Sequence, residues 1–155
     1  MIPVRAATTA DLALLGPVER AADTLFEPLG IVFPPGSVID EVTDPSKVWV
    51  AGDPPVAFAY ADWLDARLHL HQIAVHPSSV RRGIGSALMA RVISRAGTAG
   101  VTLTTFRDIP WNGPWYRKLG FVELLPLTPG LAALVSAESG LADLGPRVVM
   151  YRNST

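Results

Sequence analysis

The sequence contains no cysteine. That excludes a thiol nucleophile, a thiolate-bound metal and a disulfide framework. Lysine is rare, and most of the positive charge is arginine, whose planar fork suits bidentate phosphate contacts. Charge of either sign is scarce: 17% of residues are charged and the formal net charge is -1. Nothing in the bulk electrostatics draws the chain to nucleic acid or to an anionic membrane. No apolar run reaches the ~20 residues that span a bilayer. The start, Met1-Ile2-Pro3-Val4-Arg5, lacks the apolar core of a signal peptide. A soluble cytoplasmic protein is the expectation. There is no internal repeat and no dividing linker, and 155 residues, 49% of them apolar, suit one domain over residues 1–155.

What is present reads as alternating elements. Val4 to Ala6 suits a short strand, and Thr8-Thr9-Ala10-Asp11 a helix start, followed by Leu12, Leu15 and Val18 at helical spacing. Proline and glycine crowd Glu27 to Gly36, which reads as a loop around a short helical piece, with another short helix near Val38 to Thr43. Val48 to Ala51 and Val56 to Leu64 are strands joined by Gly52-Asp53-Pro54-Pro55, and a further strand runs from Leu68 to Val75. Ile84, Leu88, Val92 and Ala96 form one helical stripe. Val101 to Phe106 follows as a strand, then a short helix from Pro114 to Leu119, a helix from Pro129 to Leu141 and a last strand from Pro146 to Arg152. Antiparallel strands followed by strand–helix–strand predict an α/β (α+β) fold: a mixed, mostly antiparallel central sheet with helices on both faces.

The most informative stretch is Val75-His76-Pro77-Ser78-Ser79-Val80-Arg81-Arg82-Gly83-Ile84-Gly85-Ser86. A strand ends at a proline, and a loop brings glycines to the first turn of an amphipathic helix. Helix N-termini carry unpaired N–H groups and the positive end of the dipole, and glycine lets a pyrophosphate approach that backbone. Arg81 and Arg82 add positive charge there. A dinucleotide fingerprint needs a third glycine where Leu88 stands, and a Walker loop needs Gly-Lys-Ser/Thr. The stretch instead resembles the cofactor motif of the GNAT superfamily of N-acetyltransferases, Q/R-x-x-G-x-G/A, with Val80 in place of the leading Gln or Arg. The resemblance implies acetyl-CoA as co-substrate, bound by Arg81, Arg82, Gly83, Ile84, Gly85 and Ser86. It also implies that backbone groups of Ile73, Ala74 and Val75 meet the pantetheine arm.

Asn112-Gly113-Pro114-Trp115-Tyr116-Arg117-Lys118-Leu119-Gly120-Phe121 resembles the second conserved stretch of the same family. Tyr116 then takes the position whose phenol protonates the departing CoA thiolate; at a pKa of ~10 a phenol lies close to an alkyl thiol. Asn112 would cap the short helix and contact the cofactor. A base must take the proton of the attacking amine, and Leu68-His69-Leu70-His71-Gln72 supplies two histidines on one strand face. This run is locally similar to the arylalkylamine N-acetyltransferases, which implies a proton relay by His71 and His69 through water. Phe26, Phe33, Trp63, Trp111 and Trp115 are candidates for an acceptor wall, and Asp23, Glu27, Asp62 and Asp108 for holding a cation. The expected reaction is direct attack of an amine on acetyl-CoA, with no covalent intermediate and no metal. The competing reading is a non-catalytic acyl-CoA-binding or regulatory module. Family members often dimerise, so a homodimer is expected too.

Overall fold

The first helix begins where the sequence places its cap. Thr8 accepts the Asp11 amide at 3.2 Å through Oγ1, and Asp11 accepts the Thr8 amide at 2.8 Å, a reciprocal capping box. In the computed structural model, which describes residues 2–153, helix α1 runs over Thr9–Asp23 between strands β1 (Val4–Ala6) and β2 (Val48–Ala51). There follow β3 (Ala57–Leu64), β4 (Arg67–Val75), α2 (Ile84–Ala96), β5 (Val101–Phe106), α3 (Asn112–Lys118), β6 (Val122–Glu123), α4 (Pro129–Ala137), α5 (Ser139–Ala142) and β7 (Arg147–Arg152). The termini Met1, Ser154 and Thr155 of the expected single domain lie outside the described residues. The strands form a seven-stranded mixed sheet in the order β1-β2-β3-β4-β5-β7-β6. β4 and β5 are parallel, which obliges the chain to cross over between them; in chain order that crossover is α2.

The chain folds as two compact units, one of residues up to Ala61 plus His71–Ser94, the other of Asp62–Leu70 plus residues from Arg95 onward. In the first, β1 and β3 flank β2 antiparallel, with Val4 opposite Ala51 and Val48 opposite Tyr60. Leu15 and Val18 of α1 meet Val48, Val50, Phe58 and Ala74 in its core, joined by Ile39 from a short 3-10 turn at Val38–Glu41. Complete burial of a side chain such as Leu15 or Phe58 contributes about 1.5–3 kcal/mol. Ile84, Leu88, Met89 and Val92 of α2 are buried as one stripe, as their spacing predicts.

In the second unit, Leu68 to Leu70 pair with Val101 to Leu103. β7 pairs antiparallel with β5 along its whole length and with the two-residue β6. The turn into β4 places Asp65 and Ala66 at φ 51° and 66°, the left-handed pair that suits a hairpin between twisted strands. Two expectations need correcting. The helix foreseen from Pro129 to Leu141 breaks into α4 and α5, because Glu138 leaves helical geometry (φ -92°, ψ 16°). Its side chain is held by Arg147 and Thr104. The helix foreseen from Pro114 starts two residues earlier, at Asn112. Among the described residues no helix is long and apolar enough to cross a membrane.

Candidate active site

The loop entering α2 is built from the end of β4 and a 3-10 turn at Pro77–Ser79. His76 caps that turn: its Nδ1 accepts the Ser78 amide at 3.1 Å and lies 2.8 Å from Ser78 Oγ. The third histidine of the sequence is therefore occupied in shaping the loop. Beyond it Arg81 and Gly83 both adopt positive φ, 64° and 75°. Glycine takes that conformation freely; arginine does so at a steric cost. The first α2 amide with a helical partner is Ala87, bonded to Gly83 O at 3.1 Å. The amides of Ile84, Gly85 and Ser86 are left as the orphan donors of a helix start. Arg81, Arg82 and Gly83 are exposed. Neither guanidinium makes an ion pair or side-chain hydrogen bond among the described residues. A Cβ on Gly83 would meet nothing within 4 Å. Open amides, unengaged arginines and a bare backbone are what a phosphate group needs.

In the same unit, Ala74 is buried in the core while Ile73 and Val75 are half-buried. The Ile73 amide is taken by the Gln72 side chain, whose Oε1 accepts it at 3.0 Å. That N–H is therefore engaged within the strand and becomes available to a ligand only if Gln72 swings aside. His71 is half-buried and stacks on Tyr60, ring centres 4.8 Å apart at 21°. Phe26 meets Phe33 edge-on at 5.3 Å. Phe33, Asp23, Glu27 and Arg20 line a cavity of about 180 Å³.

The remaining predicted residues belong to the second unit. His69 is 1% exposed, its Nδ1 2.8 Å from Thr102 Oγ1. Trp63 and Trp111 are each 45% exposed, with the Arg95 guanidinium 5.7 Å from the Trp63 ring centre. Tyr116 is buried on α3, packed edge-on against Phe121 at 5.8 Å and tilted on Trp115 at 5.0 Å. Burial pushes its phenol up to about 12, while the charge of Arg147 pulls the other way. The near-match with a thiol expected for a free phenol does not hold in this environment, because the phenolate is desolvated. Asn112 does not cap α3 either. Trp111 occupies the N-cap without a side-chain bond, and Asn112 Nδ2 donates to Thr105 Oγ1 at 3.2 Å. The earlier helix start moves Asn112 into the first turn, where its side chain is free to reach β5.

Residues 44–123, just over half of the chain, match the family model described as an acetyltransferase (GNAT) domain. The chain belongs to the GNAT acetyltransferase family. Solved structures show the GNAT fold around it. The ribosomal-protein-S18-alanine N-acetyltransferase from Escherichia coli superposes with a TM-score of 0.71 at 20% identity, over 100% of this chain and 95% of that one. The PaiA N-acetyltransferase from Thermoplasma acidophilum, in complex with coenzyme A, gives 0.67 at 16% identity, over 99% of both chains. Ard1 from Thermoplasma volcanium gives 0.68 at 20% identity, over 99% of this chain and 98% of that one.

Two buried or half-buried polar features of this GNAT chain were not foreseen. Glu19 is 2% exposed on α1 and accepts the Val38 and Ile39 amides at 2.7 and 2.9 Å. It follows Leu12 and Leu15 on the apolar stripe of α1, and an acid on that stripe was the available signal. Burial, and secondarily this neighbour, push Asp23 up to about 6. In the second unit, Thr104, Glu138 and Arg147 form a half-buried polar cluster. Those residues lie far apart in sequence in unremarkable contexts, so no local pattern announced them.

Proposed function

We propose that the chain transfers an acetyl group from acetyl-CoA to a primary amine by direct attack, without a covalent enzyme intermediate. One observation carries the reading: a helix start whose first three amides meet no acceptor among the described residues, beside two arginines that make no ion pair there, on a glycine-bared backbone. That loop is suited to the pyrophosphate of CoA, with Arg81 and Arg82 against its charge and the Gly83 to Ser86 backbone beneath it. The family membership and a fold neighbour solved with coenzyme A support the same ligand.

In the reaction the amine nitrogen bonds to the thioester carbonyl carbon and the carbon–sulfur bond breaks. The amine proton goes to a base, for which His71 is proposed, with His69 as the second member of a relay through water. The sulfur receives a proton from Tyr116. With its phenol at about 12, Tyr116 gives up that proton only as negative charge builds on sulfur, so it acts late in bond breaking. The Arg147 charge favours the phenolate left behind. The acceptor is proposed to be a small amine with an apolar or aryl body.

Thiol release from acetyl-CoA across a panel of amines tests the reading. Turnover with at least one amine is expected, together with a loss of kcat on the order of 10²-fold or more in Tyr116→Phe, the usual worth of a general acid. Coenzyme A binding without turnover on any amine would leave only the binding-module reading. Equal rates in Tyr116→Phe would remove the tyrosine from the mechanism.

A further inference from the structure

The second unit holds a cavity of about 240 Å³ whose polar floor is Thr104, Glu138 and Arg147. Its walls are mostly aliphatic, from Leu124, Leu125, Leu127, Val135, Val148 and Val149, and the Arg107–Glu123 ion pair, closed on itself at 3.0 Å, also lines it. None of these residues has a part in the transferase reading except Arg147, which acts on Tyr116 through its charge.

The bonding on the floor is uneven. Arg147 Nη2 alone reaches both partners, Thr104 Oγ1 at 3.1 Å and Glu138 Oε1 at 3.4 Å, while Thr104 Oγ1 donates to the same Oε1 at 3.1 Å. A guanidinium carries five N–H donors and a carboxylate two acceptor oxygens. Among the described residues, Arg147 Nε and Nη1 meet no acceptor and Glu138 Oε2 meets no donor. The ring of Phe106 lies 4.7 Å beneath the guanidinium carbon and holds its plane. No fully buried side-chain nitrogen or oxygen lacks a partner among the described residues. The spare donors and the spare acceptor thus retain access to the space beside them. The floor as a whole presents spare guanidinium N–H donors, on Nε and Nη1, in the same cluster as a spare carboxylate oxygen.

A lone anion would find Glu138 repelling it, and a lone cation would find Arg147. A molecule that carries both charges on adjacent atoms meets both needs at once, its carboxylate on the spare N–H donors of Arg147 and its ammonium on Oε2. The walls then call for an aliphatic body. The volume lies below the ~300–1,000 Å³ typical of drug-sized ligand sites, and at ~30 Å³ per water-sized group it admits on the order of eight heavy atoms. We infer that this cavity binds an aliphatic α-amino acid, with Arg147 taking the carboxylate, Glu138 the ammonium and the Leu and Val walls the side chain. The inference is independent of acetyl transfer.

Titration with L-leucine as the probe, followed by calorimetry or by NMR shifts, tests it. Saturable binding is expected, about tenfold or more tighter than for L-leucine amide, which lacks the carboxylate, or 4-methylpentanoate, which lacks the ammonium. Arg147→Met should bring leucine and its amide to equal affinity, and Glu138→Gln should do the same for leucine and 4-methylpentanoate. If either variant fails to fold, Val135→Trp, which fills the cavity from α4, must abolish leucine binding instead. Absence of saturable leucine binding, equal affinity for all three probes in the unmodified protein, or leucine binding that survives Val135→Trp overturns the inference.

Discussion

Asp23 ends α1 half-buried, close to the buried Glu19 and at the helix terminus where a negative charge is least welcome. A carboxyl titrating near ~3.9 in the unfolded chain and at about 6 in the fold binds more protons folded than unfolded between those values. Stability therefore falls as pH rises from ~4 to ~6 and stays lower above. Asp23→Asn should melt a few degrees above the parent at pH 7.5 and together with it at pH 3.5; a constant gap across that range would show that the carboxyl is not the cause. At this scale the sequence was legible where a residue's role depends on its neighbours in the chain. Thr8 and Asp11 are three apart and cap as expected, and Gly83 and Gly85 open α2 as expected. Asn112 was misread because one turn of helix decides whether an Asn caps or packs, and here the helix starts at Asn112, whose amide donates to Ile109 O at 3.2 Å.

Among elements, α4 depends on a residue from a distant turn. Asp65, held at left-handed φ, accepts the Gly130 amide at 2.6 Å, and its carboxyl sits below the usual range through Thr128 and the Gly130 and Leu131 amides. A helix of nine residues is too short to persist on propensity alone. Asp65→Ala should speed hydrogen exchange of the α4 amides several-fold while the α2 amides keep their protection; unchanged α4 exchange would mean that packing of Leu131, not this cap, holds the helix. The central strands were readable because their apolar residues are bounded by turns. β6 was missed because two residues carry no period, and the break at Glu138 was missed because it answers to Arg147 and Thr104 on other strands.

For the molecule as a whole, stability and ligand are linked. Saturation of one site at a hundred times its Kd adds about 2.7 kcal/mol, which for a chain of this length raises Tm by roughly 3–6 °C. Coenzyme A should produce a shift of that size in one cooperative transition, as expected for a single domain. Replacing Arg81 and Arg82 together by Ala should remove most of the shift and flatten its dependence on salt. A full shift in that variant would place the anion elsewhere, and two separated transitions would divide the chain. The family and the mixed, mostly antiparallel sheet were legible from the loop and the alternation of elements. The acceptor was not, since it depends on side chains gathered from distant positions.

The left-handed Arg81 has a consequence for how such a loop can change over time. A non-glycine residue held at φ 64° gives up about 1–2 kcal/mol that glycine would keep. Selection for thermal endurance alone would therefore replace it. Arg81→Gly is expected to raise Tm and weaken coenzyme A binding together, both read from one melting series with and without ligand. Opposite movement of those two quantities would identify position 81 as a place where durability has been yielded to recognition; if both rise, the arginine serves neither.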